Sequence, residues 1–152
     1  MPFISKKCRF GLGLFATKNF KKGELILMIS GPIITQEEVD KKPEKEQANA
    51  LQIKDDFYID FKEPGVLVNH SCNPNAGIKE DKEMIAIKNI QAGQEITWDY
   101  STSIDGGWTM SCACGEKECR KKVKDFTLLP KKTQKKYLQL GIVQKFIQKK
   151  YF

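Results

Sequence analysis

The sequence predicts a mainly β chain that ends in helix. Through the first 100 residues, short apolar runs of strand character alternate with Lys-Gly, Gly-Pro, Glu-Pro-Gly and Ala-Gly punctuation. Helical signals are confined to a capping box at Thr35 and Glu38 and to the stretch after Pro130. At 152 residues, 40% hydrophobic and 30% charged, the chain has material for one domain with its own core.

In chain order, strands are expected over residues 14–17, 24–30, near 50–53, and over 57–60, 76–79, 83–88 and 95–98. "NFKKGELI" (19–26) and "NIQAGQEI" (89–96) share one pattern: a polar turn, glycine, acid, then strand. "TQEEVDKK" opens on the capping box and ends before Pro43, because the residue ahead of a proline resists helix. After Pro130, "KKTQKKYLQLG" is expected to be helical up to Gly141, a residue suited to a left-handed cap. Helix then resumes with Ile142, Val143, Phe146 and Ile147 on one stripe and lysines opposite, so this tail should pack back onto the body.

Charge is unevenly placed. Residues 121–152 hold ten lysines and one acid, Asp125, for a net +9, whereas the first 120 residues sum to −2. A basic tail suits contact with nucleic acid, an acidic membrane or an acidic partner, and equally a plain solvated helix face. The longest aliphatic run, "LILMI" (25–29), falls far short of the ~20 residues that span a bilayer. The start lacks the apolar core of a signal peptide. A cytoplasmic or nuclear protein fits, as does a bacterial effector secreted by a route that leaves no signal.

The chain's one histidine, His70, stands in "VNHSCNPNA" (68–76) beside Cys72. These residues alone leave it open whether His70 is a base, a metal ligand or neither. Cys112, Cys114 and Cys119 form a C-x-C-x₄-C cluster, three thiolates of the four that a structural zinc site requires. Cys72 or Cys8 would supply the fourth, and the surrounding lysines should favour thiolates. The plainer alternative is reduced cysteines on a surface loop.

"GLGLFA" (11–16), "VNHSCNPNA" (68–76), "GQEITWDY" (93–100) and "CACGEKECR" (112–120) resemble, in order and spacing, the motifs of SET-domain protein-lysine methyltransferases with a post-SET zinc segment. The resemblance implies a SET fold of several small sheets with a threaded, pseudoknot-like core, a post-SET zinc loop and a C-terminal helical tail. The boundaries would be 1–110 for the SET domain, 111–122 for the zinc segment and 123–152 for the tail. It implies an enzyme that transfers methyl groups from S-adenosylmethionine to lysine side chains of a histone or another basic protein.

By the same resemblance Gly11, Leu12, Gly13, Asn69 and His70 hold the cofactor. Cys72 joins Cys112, Cys114 and Cys119 around zinc, which leaves Cys8 as a spare, buried thiol. Tyr100 takes the catalytic position, expected to orient the amine rather than act as a strong base. A neutral amine must attack, and an ordinary lysine pKa near ~10.4 has to be lowered by a dry channel and the cofactor's positive charge. Trp98, Trp108 and Ile29 are placed in the substrate channel, with Trp98 restricting how many methyl groups fit. Two departures stand out: Ile29 where relatives carry a tyrosine, and Val66 where they carry an arginine. They suggest the alternative of a weak or inactive SET protein serving as a binding module; a zinc-containing nucleic-acid-binding protein is the other. Residues 37–63, with nine acids against five lysines, would suit a basic peptide.

Overall fold

Twelve short strands and three helices make up the computed structural model, which describes residues 1–152. Strands β1 (Phe3–Cys8) and β2 (Gly11–Ala16) lead to β3 (Leu25–Met28), β4 (Ile33–Thr35) and helix α1 (Gln36–Asp40). Then come β5 (Ala50–Lys54), β6 (Phe57–Asp60), β7 (Asn69–His70), β8 (Ala76–Lys79), β9 (Glu83–Ala86) and β10 (Glu95–Trp98). Strands β11 (Met110–Ser111) and β12 (Lys122–Val123) bracket the cysteine cluster, and α2 (Lys131–Leu140) and α3 (Lys145–Tyr151) close the chain. They form four small sheets in the orders β1-β2-β10-β7, β3-β9-β8, β4-β6-β5 and β11-β12. All pairings are antiparallel except β7 with β10, which sets Asn69 beside Thr97 and His70 beside Trp98.

Strand bounds at 57–60, 76–79 and 95–98 agree with the sequence reading, while the first hairpin differs. "GLG" belongs to β2, which pairs along its whole length with β1, from Phe3 opposite Ala16 to Cys8 opposite Gly11. Strand β1 escapes a pattern-based reading because four of its six residues are exposed and three are lysine or serine, so it shows no apolar alternation. Strand β4 escapes by being only three residues long.

The two related turns meet each other. Phe20 and Ile90 exchange backbone hydrogen bonds of 2.8 Å each way. Asn19 Oδ1 accepts from the Ala92 N–H and Asn89 Oδ1 from the Lys22 N–H, both at 2.9 Å. Each turn thus caps the other, and together they launch β3 and β10. Gly23 and Gly93 sit at φ +92° and +94°, which explains the shared glycine.

The capping box at Thr35 and Glu38 is formed in both directions, so α1 starts where the sequence reading puts it. The main core gathers Leu14, Phe20, Leu51, Ile59, Met84 and Ile96 between the sheets. A second core is built by the tail: Tyr137, Ile142, Val143 and Ile147 close over Ile87, Phe126 and Leu129. Helix α2 ends on Gly141 at φ +71°, with the Ile142 N–H bonded back to the Tyr137 carbonyl at 3.2 Å. Helix does not resume at Ile142 as its apolar periodicity suggests. Residues 142–144 stay outside the helices and buried, the Gln144 N–H bonds the Thr102 carbonyl (3.1 Å), and α3 starts at Lys145. Tertiary contacts outweigh helical pattern here.

Candidate functional site

Two clefts flank the segment from Trp98 to Tyr100. The first, about 300 Å³, is walled by Phe10, Asn69, His70, Lys88, Glu95 and Cys114 among others. Asn69 follows from the parallel pairing of β7 with β10, and its Nδ2 donates to the Leu12 carbonyl (3.0 Å) and to Glu95 Oε1 (2.9 Å). Leu12 is therefore tied to this cleft, although Gly11, Leu12 and Gly13 are not among its lining residues. Gly13 has its own reason to be glycine: a Cβ there would lie 2.4 Å from Glu95 Oε1 and 3.2 Å from Asn69 Nδ2. Gly11 needs its φ of +105°. Asn75 serves the architecture, donating to the Glu95 carbonyl (2.8 Å) and accepting from the Thr97 N–H (2.9 Å).

His70 is buried between the clefts. Its Nδ1 accepts the Tyr100 N–H at 3.1 Å, which leaves the ring proton on Nε2, 3.4 Å from Cys72 Sγ. Burial pulls its pKa down to about 4 against the opposing pull of Asp99, so the imidazole is neutral. It links the backbone of Tyr100 to the cysteine cluster.

The second cleft, about 400 Å³, is lined by Trp98, Tyr100, Trp108, Tyr58, Val39 and Ile104, with Asp40, Asp55 and Asp56 on its walls and neither lysine nor arginine. Helix α1 and β5 supply one wall, and the segment ahead of the cysteines supplies Trp108. The negative field reaches Tyr58, whose hydroxyl is pushed up to about 12 by burial and then by Asp40, Asp56, Asp125 and Asp55. The Tyr100 hydroxyl donates to the Val68 carbonyl at 2.9 Å, and its ring packs 4.7 Å from Trp98 and 5.2 Å from His70. Burial, then Glu95, holds the Tyr100 hydroxyl above the usual tyrosine range, so it remains protonated. The Trp98 Nε1–H is buried and has no protein acceptor. Ile29 lies elsewhere: it is 4% exposed within the main core, against Gly65, and does not line this cleft. Val66 packs against the same core.

The four cysteines converge. The Sγ atoms of Cys72, Cys112, Cys114 and Cys119 all lie within 4.8 Å of one another, with Cys72–Cys112 at 3.8 Å and Cys112–Cys119 at 3.7 Å. A tetrahedron with Zn–S bonds of ~2.3 Å has edges of about 3.8 Å, so the set fits zinc. Backbone N–H groups of Arg120 and Lys121 point at Cys72 Sγ and Cys119 Sγ, each at 3.4 Å. The Lys121 N–H draws Cys119 down to about 7, whereas burial pushes Cys72 up to about 11. The main anion support at Cys72 and Cys119 comes from backbone amides, Arg120 and the neighbouring cysteines rather than from the lysine ammonium groups that the sequence suggests. Cys8 stands apart from the cluster, half-buried rather than buried, 3.4 Å from Asn69 Nδ2.

Sequence reasoning missed Glu95 and the aspartates of the second cleft as individual residues. Glu95 lay inside a quoted motif, but nothing local marks its carboxylate as facing Asn69 across 26 positions. The tail packs onto one side of the body and contributes no residue to either cleft wall. It braces them from behind, through Gln144 Nε2 to the Gln52 carbonyl (3.1 Å) and Tyr137 to Asp99 (2.9 Å).

This fold, with an Asn–His strand beside a tyrosine-bearing turn and a four-cysteine cluster, defines a class, and the comparisons agree. The SET domain family model matches residues 11–101, and the chain belongs to the SET-domain family. It is 33% identical over 127 residues to the "Histone-lysine N-methyltransferase, H3 lysine-36 specific" of Debaryomyces hansenii, covering 73% of this chain and 17% of that protein. It is 30% identical over 126 residues to the "Histone-lysine N-methyltransferase trithorax" of Drosophila virilis (73% and 3%). Against human "Histone-lysine N-methyltransferase 2B" the identity is 31% over 127 residues (73% and 5%). The chain thus spans a small part of the curated relatives' length. Among solved structures, the methyltransferase domain of human histone-lysine N-methyltransferase SETMAR shares the fold, with a TM-score of 0.66 at 20% identity, covering 81% of this chain and 58% of that one. No helix is long and apolar enough to cross a membrane.

Proposed function

We propose that this chain methylates the side-chain amine of lysine in a basic protein, using S-adenosylmethionine. The observation that carries this reading is the place of Tyr100: it lines the acidic, aromatic cleft, while its ring and backbone touch His70 on the wall of the other. The first cleft would take the cofactor, with Asn69 and His70 on its wall and Gly11, Leu12 and Gly13 behind Asn69. The second would take the substrate lysine, with Trp98 and Trp108 along its stem. When bound, the cofactor would supply an electrophilic methyl group for the amine nitrogen.

The chain's own groups would bind, orient and keep water out. Apolar walls at Trp98, Trp108, Val39 and Ile104 disfavour the ammonium form and help it lose a proton to solvent before attack. The three aspartates oppose that and favour binding of the positively charged substrate from water. With its own proton held and donated to the Val68 carbonyl, Tyr100 offers its hydroxyl oxygen as an acceptor for the amine; it positions rather than deprotonates. Cys72, Cys112, Cys114 and Cys119 would hold zinc as a structural knot that fixes the segment carrying Trp108. The histone-directed names of the relatives support a histone or similar nuclear protein as the substrate, and the nucleus as the place of action.

The test is transfer of labelled methyl to mixed histones and to a panel of basic DNA-binding proteins, beside Tyr100→Phe. Label that depends on Tyr100 supports the reading. Calorimetric binding of S-adenosylmethionine without turnover on any substrate would favour an inactive SET protein instead.

A further inference from the structure

Asp99 lies between Trp98 and Tyr100 and is 1% exposed. Both of its carboxylate oxygens receive Arg120 Nη2 at 2.8 Å. Oδ2 also accepts the Tyr137 hydroxyl at 2.9 Å, and Oδ1 accepts the Ser101 N–H at 3.0 Å while standing 3.6 Å from His70 Nδ1. The donors come from three places: the end of the cysteine cluster, helix α2 and the short 3₁₀ turn Tyr100–Ser103, whereas His70 Nδ1 of β7 is itself an acceptor and only stands nearby. A buried carboxylate is tolerable only when such donors are all present. The Ser101 bond makes Asp99 the cap of the turn that begins with Tyr100. The tail holds the same turn a second time, through the Gln144 N–H to the Thr102 carbonyl at 3.1 Å. Arg120 is double-ended, its backbone N–H on Cys72 Sγ and its guanidinium on Asp99.

The geometry points to Asp99 as a positioning residue that sets Tyr100 for reaction by capping its turn, held in place by Tyr137 of the tail and Arg120 of the cysteine segment. This makes the C-terminal tail a working part of the site rather than a stabilising cover, and it rests on the reading of Tyr100 given above. Tyr137 is 38 residues from Asp99 and touches neither cleft, so no effect on substrate binding is expected from its hydroxyl.

The experiment compares the full chain with Tyr137→Phe, Asp99→Asn and the double variant, with Tyr151→Phe as control. The control removes another tail hydroxyl, bonded to Asp105 at 2.8 Å, far along the tail from Tyr137. Steady-state methylation of a histone peptide and hydrogen exchange at the Tyr100 amide are both measured. Tyr137→Phe should lower kcat about tenfold, or about 1.4 kcal/mol in the barrier, with the peptide KM within about twofold of wild type. Exchange at the Tyr100 amide should quicken while that of Leu14, in β2, does not. In the Asp99→Asn background Tyr137→Phe should add little, because both act through one carboxylate. An active wild type with full kcat in Tyr137→Phe overturns the proposal, as does a loss that Tyr151→Phe reproduces. If the wild type transfers no methyl, the functional reading fails separately, and unchanged exchange at Tyr100 in Tyr137→Phe then overturns the positioning role as well.

Discussion

Replacing Gly77 by alanine tests how the tail is fastened to the body, and it does so through the sign of the effect. Gly77 lies in β8 with a backbone that any residue can adopt, so on chain-entropy grounds alanine should stabilise the protein by about 0.4–1 kcal/mol. The structure says otherwise. A Cβ at Gly77 would fall 2.7 Å from Ile142 Cγ2 and 2.8 Å from both its Cβ and Cδ1. Ile142 is 1% exposed and buried in the second core, in the segment between α2 and α3. Overfilling a packed site costs about 1–3 kcal/mol, which outweighs the entropic gain. A net loss of about 1–2 kcal/mol lowers Tm by roughly 2–8 °C in a domain of this size. Calorimetric melting of Gly77→Ala, Ile142→Ala and the double variant measures it. Ile142→Ala removes two of the three clashing atoms, so the double variant should be less destabilised than the sum of the singles by about 1 kcal/mol. A Tm that rises in Gly77→Ala, or strictly additive losses, would refute the docking of Ile142 on β8.

The cysteine cluster should bind about one zinc per chain, and its removal by a chelator should lower Tm; metal content below about a tenth per chain in freshly purified protein would rule the site out. Cys119→Ser should weaken that binding, whereas Cys8→Ser should leave the metal content unchanged, since Cys8 stands outside the cluster. Gly13→Ala should push Glu95 off Asn69 and weaken S-adenosylmethionine binding about tenfold by titration calorimetry, and unchanged affinity would sever Glu95 and Gly13 from the cofactor cleft.

Much of the site was legible because its motifs are short and local. The C-x-C-x₄-C spacing announces a metal cluster, and Gly141 and the Thr35–Glu38 box act within a turn of themselves. Three strands were read to the residue because turn punctuation brackets them on both sides. Reading failed where a signal depends on a distant partner. Strand β1 is mostly exposed and exists because β2 pairs with it, and Ile142 follows helical spacing but is held out of helix by its burial. The resemblance sets Ile29 of "ISG" at a channel tyrosine position, and packing places it in the core.

By itself, the sequence determined the mainly β class, the helical tail, the family motifs and the Cys112–Cys114–Cys119 cluster, all of them properties of residues within one turn or one strand of each other, and the resemblance added Cys72 as the fourth cysteine. Only the tertiary structure decided that Glu95 faces Asn69 and that aspartates from α1 and the β5–β6 turn gather around Tyr100. It alone joined Arg120 and Tyr137 on Asp99, 21 and 38 residues away. The reason is physical: a buried carboxylate or thiolate is stabilised by whichever donors folding brings within about 3–4 Å, and separation along the chain does not enter that energy.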